Sequence, residues 1–360
     1  MRKTPLNAWH AANGGKLVDF HGWEMPLQYS GIINEHNAVR DSVGIFDVSH
    51  MGEFLISGKD TVAFLHYITC NDVTKLEDGQ AQYSAILTEK GTFIDDLTIY
   101  RFSETSFMAC VNASNIDKDF AHFTGVAAKF DVTVKNASDD FALMAVQGKN
   151  AKKIMAEIFA GYDDGLKYYH FAEGKIADTD VILARMGYTG EDGFEVFVPS
   201  ASAEKVWKKI MEVGEKHLIV PAGLGARDSL RTEVCYPLYG NDIDDAHNAL
   251  EAGLGWIVKL KKDDFIGKQA LVEAKAAGLA KKFVVFTLND KGIPRPGQKL
   301  VDAQGAEAGY VTSGTFSSII NKGIGLGYLL AGREEPLKVR TPRRDLEITI
   351  QKPPLININK

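Results

Sequence analysis

The stretch Arg185-Met-Gly-Tyr-Thr-Gly-Glu-Asp-Gly-Phe-Glu195 decides how this chain folds. Three glycines in eleven residues, interleaved with Tyr188, Thr189 and an Asp-Gly pair, predict a tight turn running into a strand. The strand that follows, Phe194-Glu-Val-Phe-Val198, is apolar on both faces and is expected to be covered on both sides. Glu195 then stands as a carboxylate in an apolar strand. A buried carboxylate without donors costs several kcal/mol, so the fold must bring donors to it. A structural Arg or Lys and a bound ligand are both open as the source.

Working outward, 360 residues exceed the size at which one core keeps growing, and two or three domains are expected. An apolar share of 45% and a charged share of 24% fit an ordinary globular protein. The net charge of −6 argues against general nucleic-acid binding, which shows a basic excess. No apolar run approaches the roughly 18 residues that span a bilayer. The opening Met1-Arg-Lys-Thr-Pro-Leu carries no apolar leader, so a cytoplasmic protein without a membrane partner is expected. Cys70, Cys110 and Cys235 are odd in number and far apart, as reduced core thiols would be. The nine histidines show no HxH, HxxH or HExxH spacing, and no metal site is expected.

Residues 32–43 read as a helix, and Ile45-Phe-Asp-Val-Ser-His-Met51 as a strand continued by Gly52-Glu-Phe-Leu-Ile56. Alternation puts Phe46, Val48 and His50 on one face and Asp47, Ser49 and Met51 on the other. Met51 is flexible and polarizable, suited to a flat ring as well as to plain core. After a helix over residues 60–69, Ala81–Thr88 and Phe93–Arg101 flank a Lys90-Gly91 turn as a hairpin. Alternation separates its two acids: Asp95 shares a face with Phe93, Leu97 and Ile99, and Asp96 with Ile94, Thr98 and Tyr100. The second face is amphipathic, as a pocket wall is, so Asp96 is the acid expected to meet a ligand. The alternative is that both acids cap the hairpin end. A strand over Phe107–Val111 ends at the cap cluster Asn112-Ala-Ser-Asn115, which opens a helix.

In Pro221-Ala-Gly-Leu-Gly-Ala-Arg-Asp-Ser-Leu-Arg231, the third glycine of a dinucleotide fingerprint would fall at Asp228, which argues against that motif. Gly-Ala-Arg-Asp instead opens a helix. An Arg in the first turn opposes the macrodipole, so Arg227 needs an anion or an acceptor. Tyr236 and Tyr239 follow, then a basic patch at Lys259, Lys261 and Lys262 that reads as a solvated edge. Beyond residue 280, short strands at close spacing predict a small all-β barrel or sandwich.

Seven stretches in order carry a resemblance. They are Val18-Asp-Phe-His-Gly-Trp-Glu-Met-Pro26, Phe46-Asp-Val-Ser-His-Met-Gly52, Asp95-Asp-Leu97, Tyr188-Thr-Gly-Glu-Asp-Gly193, Gly223-Leu-Gly-Ala-Arg-Asp228, Leu238-Tyr-Gly-Asn-Asp242 and Val311-Thr-Ser-Gly314. Nearly end to end, the chain resembles the aminomethyltransferases of the glycine cleavage system, the T-proteins. That resemblance implies an α+β protein, a three-domain cloverleaf around a central folate channel, with a C-terminal β-barrel. The expected units are residues 1–49 plus 140–238, 50–139 plus 239–280, and 281–360. It also implies tetrahydrofolate as cofactor and lipoylated H-protein as partner. The family reaction passes a methylene from the aminomethyl-dihydrolipoyl arm to the folate, releasing ammonia and the reduced arm.

Asp96 matches the family's catalytic aspartate. Its charge would stabilise the cation formed as ammonia leaves, which is electrostatics and positioning rather than nucleophilic attack. Glu195 would accept N–H donors from the pterin edge, and Arg227 would donate to its carbonyl side or hold Glu195. Met51, Tyr83, Tyr188 and Tyr236 would pack on the ring, with Tyr100 and Asn112 counted among the cofactor contacts. The chain departs from the family at Lys149, at Ser317-Ser318 and in the tail Lys352–Lys360; the last leaves open what meets the folate glutamate tail. A folate-dependent demethylase on the same fold is the first alternative. A non-enzymatic folate-binding protein of iron–sulfur assembly is the second, and Cys235-Tyr-Pro-Leu-Tyr239 lacks that branch's Lys-Gly-Cys-Tyr-x-Gly-Gln signature.

Overall fold

Alternating runs separated by turn residues become strands in nearly every case, and the computed structural model describes residues 1–334 and 336–357. Residues 358–360 of the expected C-terminal unit and tail lie outside these. Strands β1 (Arg2–Lys3), β2 (Lys16–Phe20) and β3 (Trp23–Gln28) form a small sheet in the order β1-β3-β2. One long sheet takes β4 (Val43–Asp47), β5 (Gly52–Ser57), β6 (Gln80–Leu87), β7 (Phe93–Ser103), β8 (Ser106–Val111) and β9 (Thr133–Asn136). It continues with β10 (Phe141–Gln147), β11 (His170–Ile176), β12 (Thr179–Arg185), β13 (Gly193–Pro199) and β14 (Ile219–Pro221). The order across it is β14-β4-β10-β13-β12-β11-β6-β7-β8-β5-β9.

This sheet has two halves, which pair through His170 of β11 and Gln80 of β6. Helices Ala151–Ile158 and Ala203–Gly214 cover one half around Ile154, Trp207 and Ile210. Helices Thr61–Ile68 and Ile116–Ala127 cover the other around Phe64 and Phe123. A third core joins the remaining faces: Phe46, Leu143, Ala184 and Phe197 from the first half meet Ala81, Tyr100, Met108 and Cys110 from the second. The inner faces of the two halves therefore converge. β13 is covered on both sides, as its apolar run requires.

The expected strand through Met51 is interrupted. Asp47 Oδ1 accepts from Ser49 N at 2.9 Å and Ser49 Oγ at 2.6 Å, turning the chain as soon as β4 ends. The chain then crosses to β5 in the opposite half, so alternation from Phe46 does not carry through to His50. The helix expected over residues 32–43 spans Ile32–Asp41, because Val43 and Gly44 are taken into β4 by pairing with β14 and β10. The lysine patch is not wholly a solvated edge: Lys262 is buried, and its Nζ donates to the carbonyls of His66, Thr69 and Asn71.

Past residue 280 six strands close a barrel: β15 (Lys281–Leu288), β16 (Lys299–Val301), β17 (Glu307–Ser317), β18 (Lys322–Leu330), β19 (Leu337–Arg340) and β20 (Asp345–Gln351). Phe286, Leu300, Val311 and Ile348 are among the residues that fill it. The α+β class and the C-terminal β-barrel are thus both present.

Candidate functional site

Glu195 lies on the inner face of β13, paired on one side with Ala145 of β10 and on the other with Ala184 of β12. Both cross-strand neighbours carry only a methyl group. The loop before it is built without slack. Arg185 grips Asp192 with two parallel bonds, Nε to Oδ1 at 2.9 Å and Nη2 to Oδ2 at 2.7 Å, closing the loop at its base. A Cβ on Gly187 would stand 1.9 Å from Gln147 Oε1, so only glycine lets the chain pass that side chain. At the loop tip, Tyr188 donates its hydroxyl to the carbonyl of Pro237.

On β7 the two acids part as alternation requires. Asp95 is fully buried, while Asp96 is half-buried and pairs across to Ala85 of β6. Tyr83 Oη donates to Asp96 Oδ2 at 2.9 Å and Asn112 Nδ2 to Asp96 Oδ1 at 2.9 Å. Asn112, placed by the cap cluster after β8, also reaches Asp95 Oδ1 at 2.8 Å. It therefore bridges the two carboxyl groups.

Arg227 sits in the first turns of the helix Leu224–Glu233, its guanidinium carbon 4.8 Å from the centroid of the Tyr188 ring. Tyr188 and Tyr236 lie 5.8 Å apart, and Tyr83 stacks on Trp256 at 5.9 Å. Tyr100 Oη is 3.0 Å from Met186 Sδ and 3.4 Å from Glu195 Oε2. Met51 packs against the inner core. Of the nine candidate residues, Tyr100 alone is fully covered; the other eight are half-buried.

Charge links these groups into one neighbourhood. Burial pushes the Glu195 carboxyl up, while Arg227 and the Tyr100 hydroxyl hold it down. Burial likewise lowers Arg227, which Glu195 and Tyr188 oppose. Arg227 Nη1 is buried and has no partner among the described residues. Tyr188 is raised by burial, with Asp96 adding to the rise and Arg231 and Arg227 opposing it. Burial and the adjacent Asp95 push Asp96 up to about 7, against its hydrogen bonds from Tyr83 and Asn112.

Several neighbours escaped the sequence reading. Glu53 faces this interior from β5 and is driven well above the usual carboxylate range by burial and Glu195. His50 is held down to about 4 by burial and by Arg227, so it is neutral. Tyr168 and Tyr169 lie close to Glu195 and Tyr236. Tyr169 adopts a φ of 59°, a left-handed conformation that costs an aromatic residue energy and clusters at functional sites. The doubled tyrosine was the one available signal; a lone Glu in β5 gives none.

Known proteins are similar to this chain along its length. Residues 6–262 match the family described as the GCVT N-terminal domain, and residues 281–357 the glycine cleavage T-protein C-terminal barrel domain. An aminomethyltransferase of Chloroherpeton thalassium is 48% identical over 329 residues, covering 91% of this chain and 91% of the relative. One from Leptospira interrogans is 41% identical over 360 residues, covering 99% and 97%. The crystal structure of the glycine cleavage system aminomethyltransferase T from Bartonella henselae matches with a TM-score of 0.92 at 32% identity, covering 99% of this chain and 98% of that one.

Proposed function

This chain belongs to the aminomethyltransferase family, the T-proteins of glycine cleavage, and from that premise we propose that its acceptor is tetrahydrofolate, held between Glu195 and Asp96. It is an enzyme, a one-carbon transferase of glycine cleavage. The observation that carries the folate reading is that Glu195 lies within the electrostatic reach of Arg227, whose Nη1 is buried and has no partner among the described residues. An acceptor beside a spare donor complements an amino-pyrimidinone edge, which presents N–H groups next to a carbonyl. Tyr188, Tyr236, Tyr83 and Met51 supply flat and polarizable surface for the ring. The residues present fit the group.

Bound folate supplies the amines that take up the methylene. The donor in this reading is the aminomethyl group on the dihydrolipoyl arm of H-protein, and the other products are ammonia and the free dihydrolipoyl arm. Asp96 acts when ionised: its charge offsets the positive charge that develops as ammonia leaves, in an interior where burial strengthens that interaction. Tyr83 and Asn112 hold one carboxylate oxygen each, so the group is aimed before the reaction begins.

The same reading divides the chain into residues 1–49 plus 140–238, 50–139 plus 239–280, and 281–360. The crossing between β4 and β5 and the single-residue pairing between β11 and β6 support that division. No helix among the described residues is long and apolar enough to cross a membrane; the proposed place of action is the cytoplasm. The test is formation of methylenetetrahydrofolate from aminomethylated lipoyl-H-protein, with H-protein omitted as control. Product formed equally from a free methylated amine or sulfonium would replace this reading with that of a demethylase.

A further inference from the structure

Behind Asp96, on the opposite face of β7, lies a carboxyl cluster that the proposed chemistry leaves unused. Asp95 accepts from Asn112 N at 3.0 Å, Asn112 Nδ2 at 2.8 Å and Asn115 Nδ2 at 2.7 Å. Asp119, in the first turn of the helix Ile116–Ala127, is equally buried and meets Asp95 carboxyl to carboxyl. Neither Asp119 oxygen accepts a hydrogen bond from any donor among the described residues. Lys118 is near, but its Nζ is engaged by Ile94 O at 2.7 Å and Tyr239 Oη at 2.8 Å. The helix N-terminus favours an anion, yet that effect is smaller than the cost of a buried charge with no donors.

Two ionised carboxyls cannot share such a contact. Asp95 has three donors and Asp119 has none, so the proton belongs on Asp119. We propose that Asp119 is a positioning residue for the transfer: as a neutral acid it donates to Asp95, and Asp95 in turn clamps the Asn112 amide that aims Asp96.

The chain of contacts is continuous. Asn112 Nδ2 lies 2.8 Å from Asp95 Oδ1 and 2.9 Å from Asp96 Oδ1, so whatever fixes Asp95 fixes the amide and the acid beyond it. Without the Asp119 proton, Asp95 would either gather one itself and weaken as an acceptor, or stand with its charge less shielded beside Asp96. The first loosens Asn112; the second drives Asp96 toward its inactive protonated form. The charged and titratable groups facing Asp119 are Asp95 and Asp96 of β7, Lys118 of its own helix and Tyr239 from the segment beyond residue 233. Burial and Asp95 push Asp119 up to about 11, in keeping with the geometry.

The inference rests on the reading of Asp96 given above, and its test separates the two. Infrared difference spectroscopy of the full chain, above the range in which Asp96 titrates, should show a protonated carboxyl component, separate from that of Glu53, that is present in the native protein and in Glu53→Gln and is lost in Asp119→Asn. An unchanged band overturns the proposal. In the transfer assay, Asp119→Leu should cut kcat about 30-fold with KM for tetrahydrofolate within about two-fold, and Asp119→Asn, which keeps a neutral donor, should recover most of that loss. An Asn variant as impaired as the Leu variant, or a Leu variant with native kcat, would sink it. Should Asp119→Leu fail to fold, the band and the kcat of Asp119→Asn still decide. Asp96→Asn is assayed in parallel: native turnover there removes the role of Asp96, while the infrared result still reports where the proton lies.

Discussion

Tyr83 donates its hydroxyl to Asp96 Oδ2 at 2.9 Å from the neighbouring strand, and this bond favours the charged form of an acid that burial and Asp95 push up to about 7. In the proposed role Asp96 acts as the carboxylate, so kcat should rise with pH along an acid limb centred near that value. Tyr83→Phe removes a group that holds the pKa down, and the limb should move to higher pH. A kcat profile flat through neutrality, or a limb moving to lower pH in Tyr83→Phe, contradicts this account. The raised pKa also has a stability sign: the native state keeps a proton that the unfolded chain has released. The contribution of Asp96 is therefore most favourable in acid and is lost as pH rises from about 4 to about 7.

Asp96→Asn preserves shape and both hydrogen-bonding neighbours but removes the charge. Tetrahydrofolate affinity should stay within a few-fold while turnover falls about 100-fold, the scale of one positioned electrostatic group. Equilibrium binding and single-turnover transfer, measured on the same preparation, separate the two effects. A variant that turns over normally would return Asp96 to a structural role.

Arg227 is the donor whose Nη1 has no partner among the described residues, and it also holds Glu195 toward its ionised form. Arg227→Ala should therefore weaken tetrahydrofolate binding about 10- to 100-fold, the worth of one or two charge-assisted hydrogen bonds, with a smaller change in kcat at saturation. Titration of folate affinity against pH should also show Glu195 harder to ionise in the variant. Unaltered affinity would make Arg227 an internal strut.

Much of this arrangement was legible in the sequence because it follows from local periodicity. Alternation along Phe93–Ser103 places Asp95 and Asp96 on opposite faces without reference to the rest of the chain. Each strand of the barrel appears as a short run bounded by turns. What alternation does not contain is long-range pairing. Residues 48–51 continue the apolar pattern of β4, and only the hydrogen bonds from Ser49 to Asp47 and the distant partner of β5 break it. Strand β11 carries Glu173, Gly174 and Lys175, a polar stretch with no apolar run, and it takes its form from pairing with β12. Lys262 looks solvated because its three carbonyl partners lie 191 to 196 residues away. Asp119 reads as an ordinary acid in a first helical turn. Its carboxyl partner is on another strand.

Glu233 is a buried acid that, together with the Arg231–Ser313 bond, fastens the barrel to the helix that carries Arg227. Glu233 ends the helix Leu224–Glu233 and accepts from Arg40 Nε at 3.1 Å, Arg40 Nη2 at 2.9 Å and the Ser317 hydroxyl of β17, with His36 Nε2 3.1 Å away. Burial pushes its carboxyl up, but His36, Ser317 and Arg40 outweigh that and hold it below the usual glutamate range. Its stabilising contribution is therefore complete above the unfolded glutamate pKa and is lost as pH falls through the lower folded value. Glu233→Gln keeps the volume but leaves Arg40 with Glu191 as its remaining carboxylate and a buried charge under-compensated. Breaking such a pair from one side costs about 3–5 kcal/mol. Denaturant unfolding at neutral pH should show a loss of that order, shrinking in acid. The exposed pair Lys299–Glu307 on the same barrel is the control, and Glu307→Gln should leave the midpoint nearly unmoved because water screens it. Equal effects of the two substitutions would mean that the network around Glu233 is not what joins the barrel to the site.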